Sequence, residues 1–223
     1  MATATASAPA SRTRLIQAKH VMFLLFGVLM VVVWLTRDRF LLDRSSPLFQ
    51  RYAAIPLLMW LHGLPGAIAL FLGILQFSSR LRQRYLKVHR AMGRIYVACV
   101  AISAPAAMLV ALKLPNPGIT PATFVQGVGW ILTTATALYC VRHGMIQQHR
   151  EWMMRSYPFA MVFVVVRSIL AVPAVAQAGY PGLVGTVWSV IAVACFLPSA
   201  IIEWQKLAAR SRTEKARATA AAR

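Results

Sequence analysis

Two short stretches with similar residues carry most of the side chains in this chain that could bind a cofactor. They read VHRAMGRIYV at 88–97 and QHREWMMRSYPF at 148–159. In each, a histidine is followed directly by an arginine, and a second arginine and a tyrosine come later. Histidines can ligate a haem iron, and guanidinium groups suit haem propionates or a phosphate. The candidate cofactor-binding residues are therefore His89, His149, Arg90, Arg94 and Arg155.

An arginine inside an apolar run is the second candidate for a binding residue. Arg167 lies in the stretch FVVVRSILAV, where a charge costs roughly 2.5 to 3.5 kcal/mol on insertion scales and usually serves a function. His62 lies at a comparable predicted depth, and Pro65 frees the backbone carbonyl of Leu61 beside it. Arg167 and His62 are thus candidate ligands of a small anion or an anionic lipid. The alternative is that Arg167 extends towards the membrane surface, while His62 is hydrogen-bonded inside the protein.

The composition indicates that membrane helices position these residues. Of the 223 residues, 59% are hydrophobic and 13% are charged, unlike a soluble globular domain. Apolar stretches that could cross a bilayer lie at 21–35, 54–77, 93–112, 121–141, 156–174 and 183–204. Lipid leaves no partner for free backbone groups, so these stretches predict an all-α protein with six transmembrane helices. The predicted organisation is a membrane domain at 20–204 between basic tails at 1–19 and 205–223.

The positive charge is explained by membrane topology better than by nucleic acid binding. The chain has 24 Lys and Arg against 5 Asp and Glu, a net charge of +19. Of these cations, 18 fall on one predicted side of the membrane (three, six, three and six in successive segments) and 5 on the other. The positive-inside rule places both termini and both His-Arg stretches in the cytoplasm. The basic segments are expected to contact anionic lipid, and no nucleic acid partner is expected.

Small and polar residues follow a helical spacing in the second to fifth predicted spans. The second span carries His62, Gly66, Ala69, Gly73 and Gln76 on one face. Similar stripes are His89, Gly93, Tyr96, Ser103 and Ala107; Gln126, Gly129, Thr133 and Cys140; and His149, Met153, Ser156, Ala160, Phe163 and Arg167. Small residues let membrane helices approach closely, and polar ones bond across helices. We therefore predict a four-helix core formed by these four spans.

Several kinds of catalytic and metal site are not indicated. Cys99, Cys140 and Cys195 stand singly in apolar runs, without the spacing of a zinc site or a disulfide framework. The motifs HExxH, GxSxG and the phosphate loop are absent from the sequence, and no pair of acids lies within a predicted span. The sequence leaves open whether the protein is an enzyme.

Three longer stretches together resemble a known family. They are LHGLPGAIALFLGILQF, LRQRYLKVHRAMGRIYV and QHREWMMRSYPFAMVFVVVRSIL, and they resemble the bacterial integral-membrane family called domain of unknown function 2306. The resemblance covers about 57–170 and includes His62, Gln76, Arg167 and the blocks HRxxGRxYV and HRxWMxRSY. It implies a bacterial inner-membrane protein with several helices. It implies no activity, cofactor or site.

Three functions are compatible with these observations. The leading hypothesis is a membrane redox or haem-associated protein, in which His89 and His149 ligate one haem b near the cytoplasmic face. The second is a transporter or binding protein for a small anion or anionic lipid that uses Arg167 and His62. The third is a non-enzymatic membrane subunit whose arginines serve assembly. For the two His-Arg pairs, the structural alternative is that they anchor the helices to lipid headgroups.

Overall fold

The structure, a computed structural model, describes residues 43–221 and, before them, 24, 27–29, 31–33 and 35. The basic tail at 1–19 and most of the predicted span at 21–35 lie outside these residues. Contacts divide the chain into two units, Met1–Phe49 and Gln50–Arg223. In the first unit, the described residues up to 35 are helical. The Ser45 backbone N–H and hydroxyl donate to the Asp43 carboxylate at 3.0 and 2.6 Å.

The regular structure within 43–221 is entirely helical. The helices of this part are α1 (Pro47–Tyr52), α2 (Pro56–Gln76), α3 (Ser79–Arg84), α4 (Leu86–Lys113), α5 (Thr120–Arg142), α6 (Ile146–Ile169), α7 (Pro173–Gln177) and α8 (Gly179–Ala221). Among the described helices, α2, α4, α5 and α8 are long and apolar enough to cross a membrane. The predicted all-α membrane architecture is confirmed, whereas the count of six spans stays a prediction.

Three helices extend beyond the predicted apolar spans. Helix α4 begins at Leu86 and α6 begins at Ile146, so both His-Arg stretches are helical rather than loops before the helices. Helix α8 continues through the basic C-terminal segment to Ala221. Backbone hydrogen bonds within a helix need no apolar surroundings, so a helix can continue where the sequence becomes polar. Hydropathy marks the part of a helix that suits lipid, not its ends.

Helices α2 and α4 are antiparallel neighbours. Gly66 of α2 lies against Ser103, whose hydroxyl would be 3.0 Å from a Cβ at this glycine. Farther along α2, a Cβ at Gly73 would be 3.1 Å from the Tyr96 ring. Residue numbers rise along α2 as they fall along α4, so the two helices run in opposite directions. The polar and small stripe predicted for the second span faces this neighbour.

Helices α4 and α6 run parallel because each is antiparallel to α5. Along α5 and α4, Thr120 contacts Ala111 and Trp130 contacts Tyr96. Along α5 and α6, a Cβ at Gly129 would be 2.6 Å from the Phe159 ring, and the Ala137 carbonyl bonds to His149. The N-termini of α4 and α6, which carry the two His-Arg stretches, therefore lie at the same end of the protein.

A tight turn between α5 and α6 places His149 beside α5. Gly144 has a φ of 75°, a left-handed conformation that glycine adopts without steric cost. The Met145 N–H donates to the Cys140 carbonyl at 2.9 Å, which closes the end of α5. Helix α6 begins directly afterwards at Ile146. The short reversal keeps the first turn of α6 alongside the last turns of α5.

Candidate functional site

A ring of hydrogen bonds joins α4, α5 and α6 in the interior. The Trp130 indole N–H donates to the Tyr96 hydroxyl at 3.0 Å, and that hydroxyl lies 2.9 Å from the Ser156 hydroxyl. Ser156 bonds to the Thr134 hydroxyl at 2.7 Å, and Thr134 donates to the Trp130 carbonyl at 2.7 Å. All four residues are buried. Because the indole only donates and the carbonyl only accepts, the direction of every hydroxyl in the ring is fixed.

The same ring sets the relative position of the two histidines. His89 precedes Tyr96 by seven residues, and His149 precedes Ser156 by seven residues. Seven residues are about two helical turns, or about 10 Å along the axis. On two parallel helices in contact at Tyr96 and Ser156, both histidines therefore lie at the same level.

The hydrogen bonds of the two histidines differ. Nδ1 of His149 lies 2.9 Å from the Ala137 carbonyl oxygen. A carbonyl can only accept, so Nδ1 carries the proton and Nε2 of a neutral ring keeps its lone pair. Nδ1 of His89 is buried and has no hydrogen-bond partner among the described residues. His149 therefore has the ring orientation of a ligand supported by a backbone carbonyl, while His89 has an open bonding position.

Arginines and a glutamine surround the histidines at what we call the basic end (Gln76, Arg82, His89, Arg90, His149 and Arg150). A guanidinium nitrogen of Arg82 donates to the carbonyls of Gln76 and Phe77, both at 3.4 Å. Partial burial and the charge of Arg150 lower the pKa of Arg82 below its ordinary value. The charges of Arg82 and Arg90 also act on His89. This end is a cluster of hydrogen-bond donors and positive charge.

Arg155 belongs to a different group of charges, between α6 and α8. Its guanidinium lies 3.9 Å from Glu151 and 4.0 Å from Glu203, and its Nε donates to the Ser199 hydroxyl at 3.0 Å. Lys206 joins the same carboxylates at 2.8 Å from Glu151 and 3.0 Å from Glu203. The sequence grouped Arg155 with arginines for a cofactor. The structure gives it carboxylate neighbours that already balance its charge.

This ion-pair group predicts a dependence of stability on pH. Glu151 is 9% exposed, and the hydrogen bond from Lys206 lowers the pKa of its carboxyl. A carboxyl with a lowered pKa stabilises the folded state above its ordinary pKa, and this stabilisation is lost as the pH falls. We expect Glu151→Gln to lower the Tm of purified protein at pH 7 by about 2 to 4 °C. We also expect this difference to shrink between about pH 5 and pH 3.

The matched control for this measurement is Glu214→Gln, on an exposed part of α8. It removes the same charge and should leave the Tm at pH 7 unchanged. An equal loss of Tm in both variants would show that net charge, and not the ion pair with Lys206, accounts for the effect.

Two of the remaining predicted residues, His62 and Arg167, do not belong to the basic end. Arg90, which belongs to it, and Arg94 are both exposed on α4. His62 bonds through Nδ1 to the backbone and hydroxyl oxygens of Ser103, both at 3.2 Å. The guanidinium of Arg167 lies 4.4 Å from the centre of the Phe163 ring. The described contacts of His62 and Arg167 thus go to different neighbours.

Two residues of the basic end were not identified as site residues from the sequence. Gln76 appeared as the last member of a polar stripe and in the family resemblance, and Arg82 only as one cation among six in its segment. The signal for Gln76 was its position at the end of α2, opposite the His89 stretch. For Arg82 the sequence carries no signal that separates it from Arg80 and Arg84.

Comparisons with known proteins agree with the membrane architecture. A protein of Aspergillus versicolor called Ava biosynthesis cluster protein G is 26% identical over 115 residues, which is 48% of this chain and 33% of that protein. The match thus spans about a third of the length of this relative. No solved structure matches the chain. The profile of the family described as Predicted membrane protein (DUF2306) matches residues 59–205. This match covers more than half of the chain, and the protein therefore belongs to the DUF2306 family of predicted membrane proteins.

Proposed function

We propose that this protein is a haem-associated redox protein of the bacterial inner membrane, with His89 and His149 as axial ligands of one haem b. The observation that carries the proposal is the alignment of the two histidines. Each lies two turns from the Tyr96–Ser156 hydrogen bond, on helices that run parallel. Residues that stand sixty positions apart in the sequence are thereby brought to one level of the protein.

The donor set favours haem over a bare metal ion. The described residues contain no group of three or more His, Cys, Asp and Glu that could hold a metal ion. A haem needs only axial ligands from the protein, because the porphyrin supplies the other four nitrogens. The carbonyl of Ala137 supports His149 at 2.9 Å, and such a bond raises the basicity of a ligating imidazole. Arg90, which follows His89 on α4, suits a propionate.

The proposed orientation places this haem at the cytoplasmic surface. The basic end carries the N-termini of α4 and α6, and most of the cations of the chain fall in segments on the same predicted side. The positive-inside rule then puts both termini in the cytoplasm. An electron carrier at that surface could exchange electrons with soluble partners.

A visible spectrum of protein purified after haem-supplemented expression tests the proposal. We expect a Soret band and, after reduction, the sharp α band of a haem with two histidine ligands. His89→Ala and His149→Ala should each lower the amount of bound haem at least about tenfold, because each removes one iron ligand. The control is His143→Ala, since His143 is an exposed histidine at the end of α5.

Two results would contradict the proposal. The first is the absence of a Soret band from folded wild-type protein, with folding shown by a cooperative thermal transition. The second is an equal haem content in the wild type and in both histidine variants. In either case, the hypotheses of an anion transporter that uses Arg167 and His62, or of a non-enzymatic membrane subunit, would take first place.

A further inference from the structure

We propose that the basic end binds a phosphate group, held by Gln76, Arg82 and Arg150 beside the first turns of α4 and α6. This goes beyond haem binding because it assigns a second ligand. It also uses Nδ1 of His89, the ring nitrogen opposite the Nε2 that a haem iron would take. The two ligands are therefore compatible, and each can be tested without the other.

The first observation is a buried donor without an acceptor. Gln76 is 7% exposed, and its amide nitrogen has no hydrogen-bond partner among the described residues. The side chain is held against α4, since its oxygen would lie 3.6 Å from a Cβ at Gly93. Gly93 is one turn beyond His89, whose Nδ1 is also buried without a partner in the described part of the chain. Both nitrogens are buried near the start of α4, and a buried polar atom normally has a hydrogen-bond partner.

The second observation is positive charge that makes no salt bridge among the described residues. Arg82 is held at the end of α2 by the carbonyls of Gln76 and Phe77 at 3.4 Å, and it lies within reach of the charge of Arg150. Like charges repel, and an anion bound beside them reduces the repulsion. The described salt bridges to Glu151 and Glu203 involve Arg155 and Lys206, not the arginines of the basic end.

The third observation is the direction of two helices. The first turns of α4 and α6 contain no acid, and their N-cap residues, Tyr85 and Met145, make no side-chain capping bond. The N-terminus of a helix carries a partial positive charge and free N–H groups that favour anions. Here two such N-termini point to one end of the protein. Their field adds to that of the arginines, although alone it would not define a site.

A phosphate fits these donors better than a single carboxylate does. Its oxygens accept hydrogen bonds in several directions, and the donors of the basic end come from α2, α3, α4 and α6. The group can belong to a lipid headgroup or to free phosphate. Helix α3, at Ser79–Arg84, connects two helices that are long and apolar enough to cross the membrane. Arg82 thus lies near the level at which lipid phosphates occur.

Thermal unfolding of haem-free protein in a neutral detergent tests the inference. The two probes are dioleoylphosphatidylglycerol and inorganic phosphate, each titrated at constant ionic strength. We expect a rise in Tm that saturates with one probe or both. Arg82→Gln and Gln76→Met should raise the half-saturating concentration about tenfold, the effect of losing one charge-assisted or buried hydrogen bond. Arg84→Gln is the matched control, because Arg84 is exposed on the same short helix.

Each outcome has a definite meaning. Saturation with phosphatidylglycerol alone supports a lipid phosphate, and saturation with inorganic phosphate supports a free anion as well. No rise in Tm with either probe overturns the inference. An equal weakening by Arg82→Gln and Arg84→Gln also overturns it, since the effect would then be one of surface charge. The protein carries no haem in this experiment, so the result does not depend on the Soret measurement.

Discussion

Replacing Gly73 by alanine should destabilise the protein by about 1 to 3 kcal/mol. A Cβ at this position would lie 2.4 Å from two carbons of the Tyr157 ring and 3.1 Å from the Tyr96 ring. The Tyr157 ring cannot move away freely, because its hydroxyl donates to the Leu70 carbonyl at 3.0 Å. The clash therefore separates α2 from α6 or breaks this hydrogen bond. Thermal or denaturant unfolding in detergent measures the loss.

The control for this variant is Gly63→Ala in the same helix. Among the described residues, no atom from outside the surrounding helix backbone lies within 4 Å of a Cβ at Gly63. Alanine also favours a helix more than glycine does. Gly63→Ala should therefore keep the stability of the wild type or raise it slightly. Equal stability of Gly73→Ala and Gly63→Ala would show that the close packing of α2 against the two tyrosines does not contribute to the stability of the fold.

The second large effect is expected for Tyr96→Phe. The substitution leaves the Trp130 indole N–H without an acceptor and removes the donor that Ser156 accepts from. Hydrogen bonds between membrane helices contribute about 0.6 kcal/mol each on average, and a buried group left unpaired costs about 1 to 3 kcal/mol. We expect the free energy of unfolding to fall by about 1 to 3 kcal/mol, because Trp130 and Ser156 are both buried.

Tyr139→Phe is the control for the hydroxyl of Tyr96. Tyr139 is 56% exposed on α5, and phenylalanine keeps its ring contact with His143 at 4.0 Å between centroids. The stability of Tyr139→Phe should equal that of the wild type. Fluorescence of the tryptophans gives a second measurement, because Trp130 should change its spectrum in Tyr96→Phe and not in Tyr139→Phe. Unchanged stability and fluorescence in Tyr96→Phe would contradict the ring.

The sequence was sufficient to predict the class of fold because lipid allows few solutions. Backbone groups in hydrocarbon must be satisfied within a helix, so long apolar runs predict helices reliably. The ends of α4, α6 and α8 were not predictable in this way. Their polar turns still form helical hydrogen bonds, and hydropathy does not report them. The predicted span at 156–174 therefore missed the first ten residues of α6, which contain His149.

The candidate site was predictable in part: the repeated pattern singled out His89 and His149, and the distribution of cations predicted both on the same side of the membrane. The alignment of the two histidines depends on a contact between Tyr96 and Ser156, and no periodicity within one helix predicts a contact between two. The role of Gln76 depends on its fit against Gly93. The ion pairs of Arg155 depend on the position of α8, and the spacing of residues along α6 does not predict that position.

The ring of hydrogen bonds has a consequence for the synthesis of the protein in the membrane. Helices emerge in order, so Trp130 of α5 can bond to Tyr96 of α4 as soon as both are inserted. The ring closes only when α6 brings Ser156 between Tyr96 and Thr134. Until then the Tyr96 O–H has no acceptor in the ring, and the Thr134 hydroxyl accepts no hydrogen bond there. A chain that stops before α6 therefore keeps a polar gap between α4 and α5 that Ser156 fills in the complete protein.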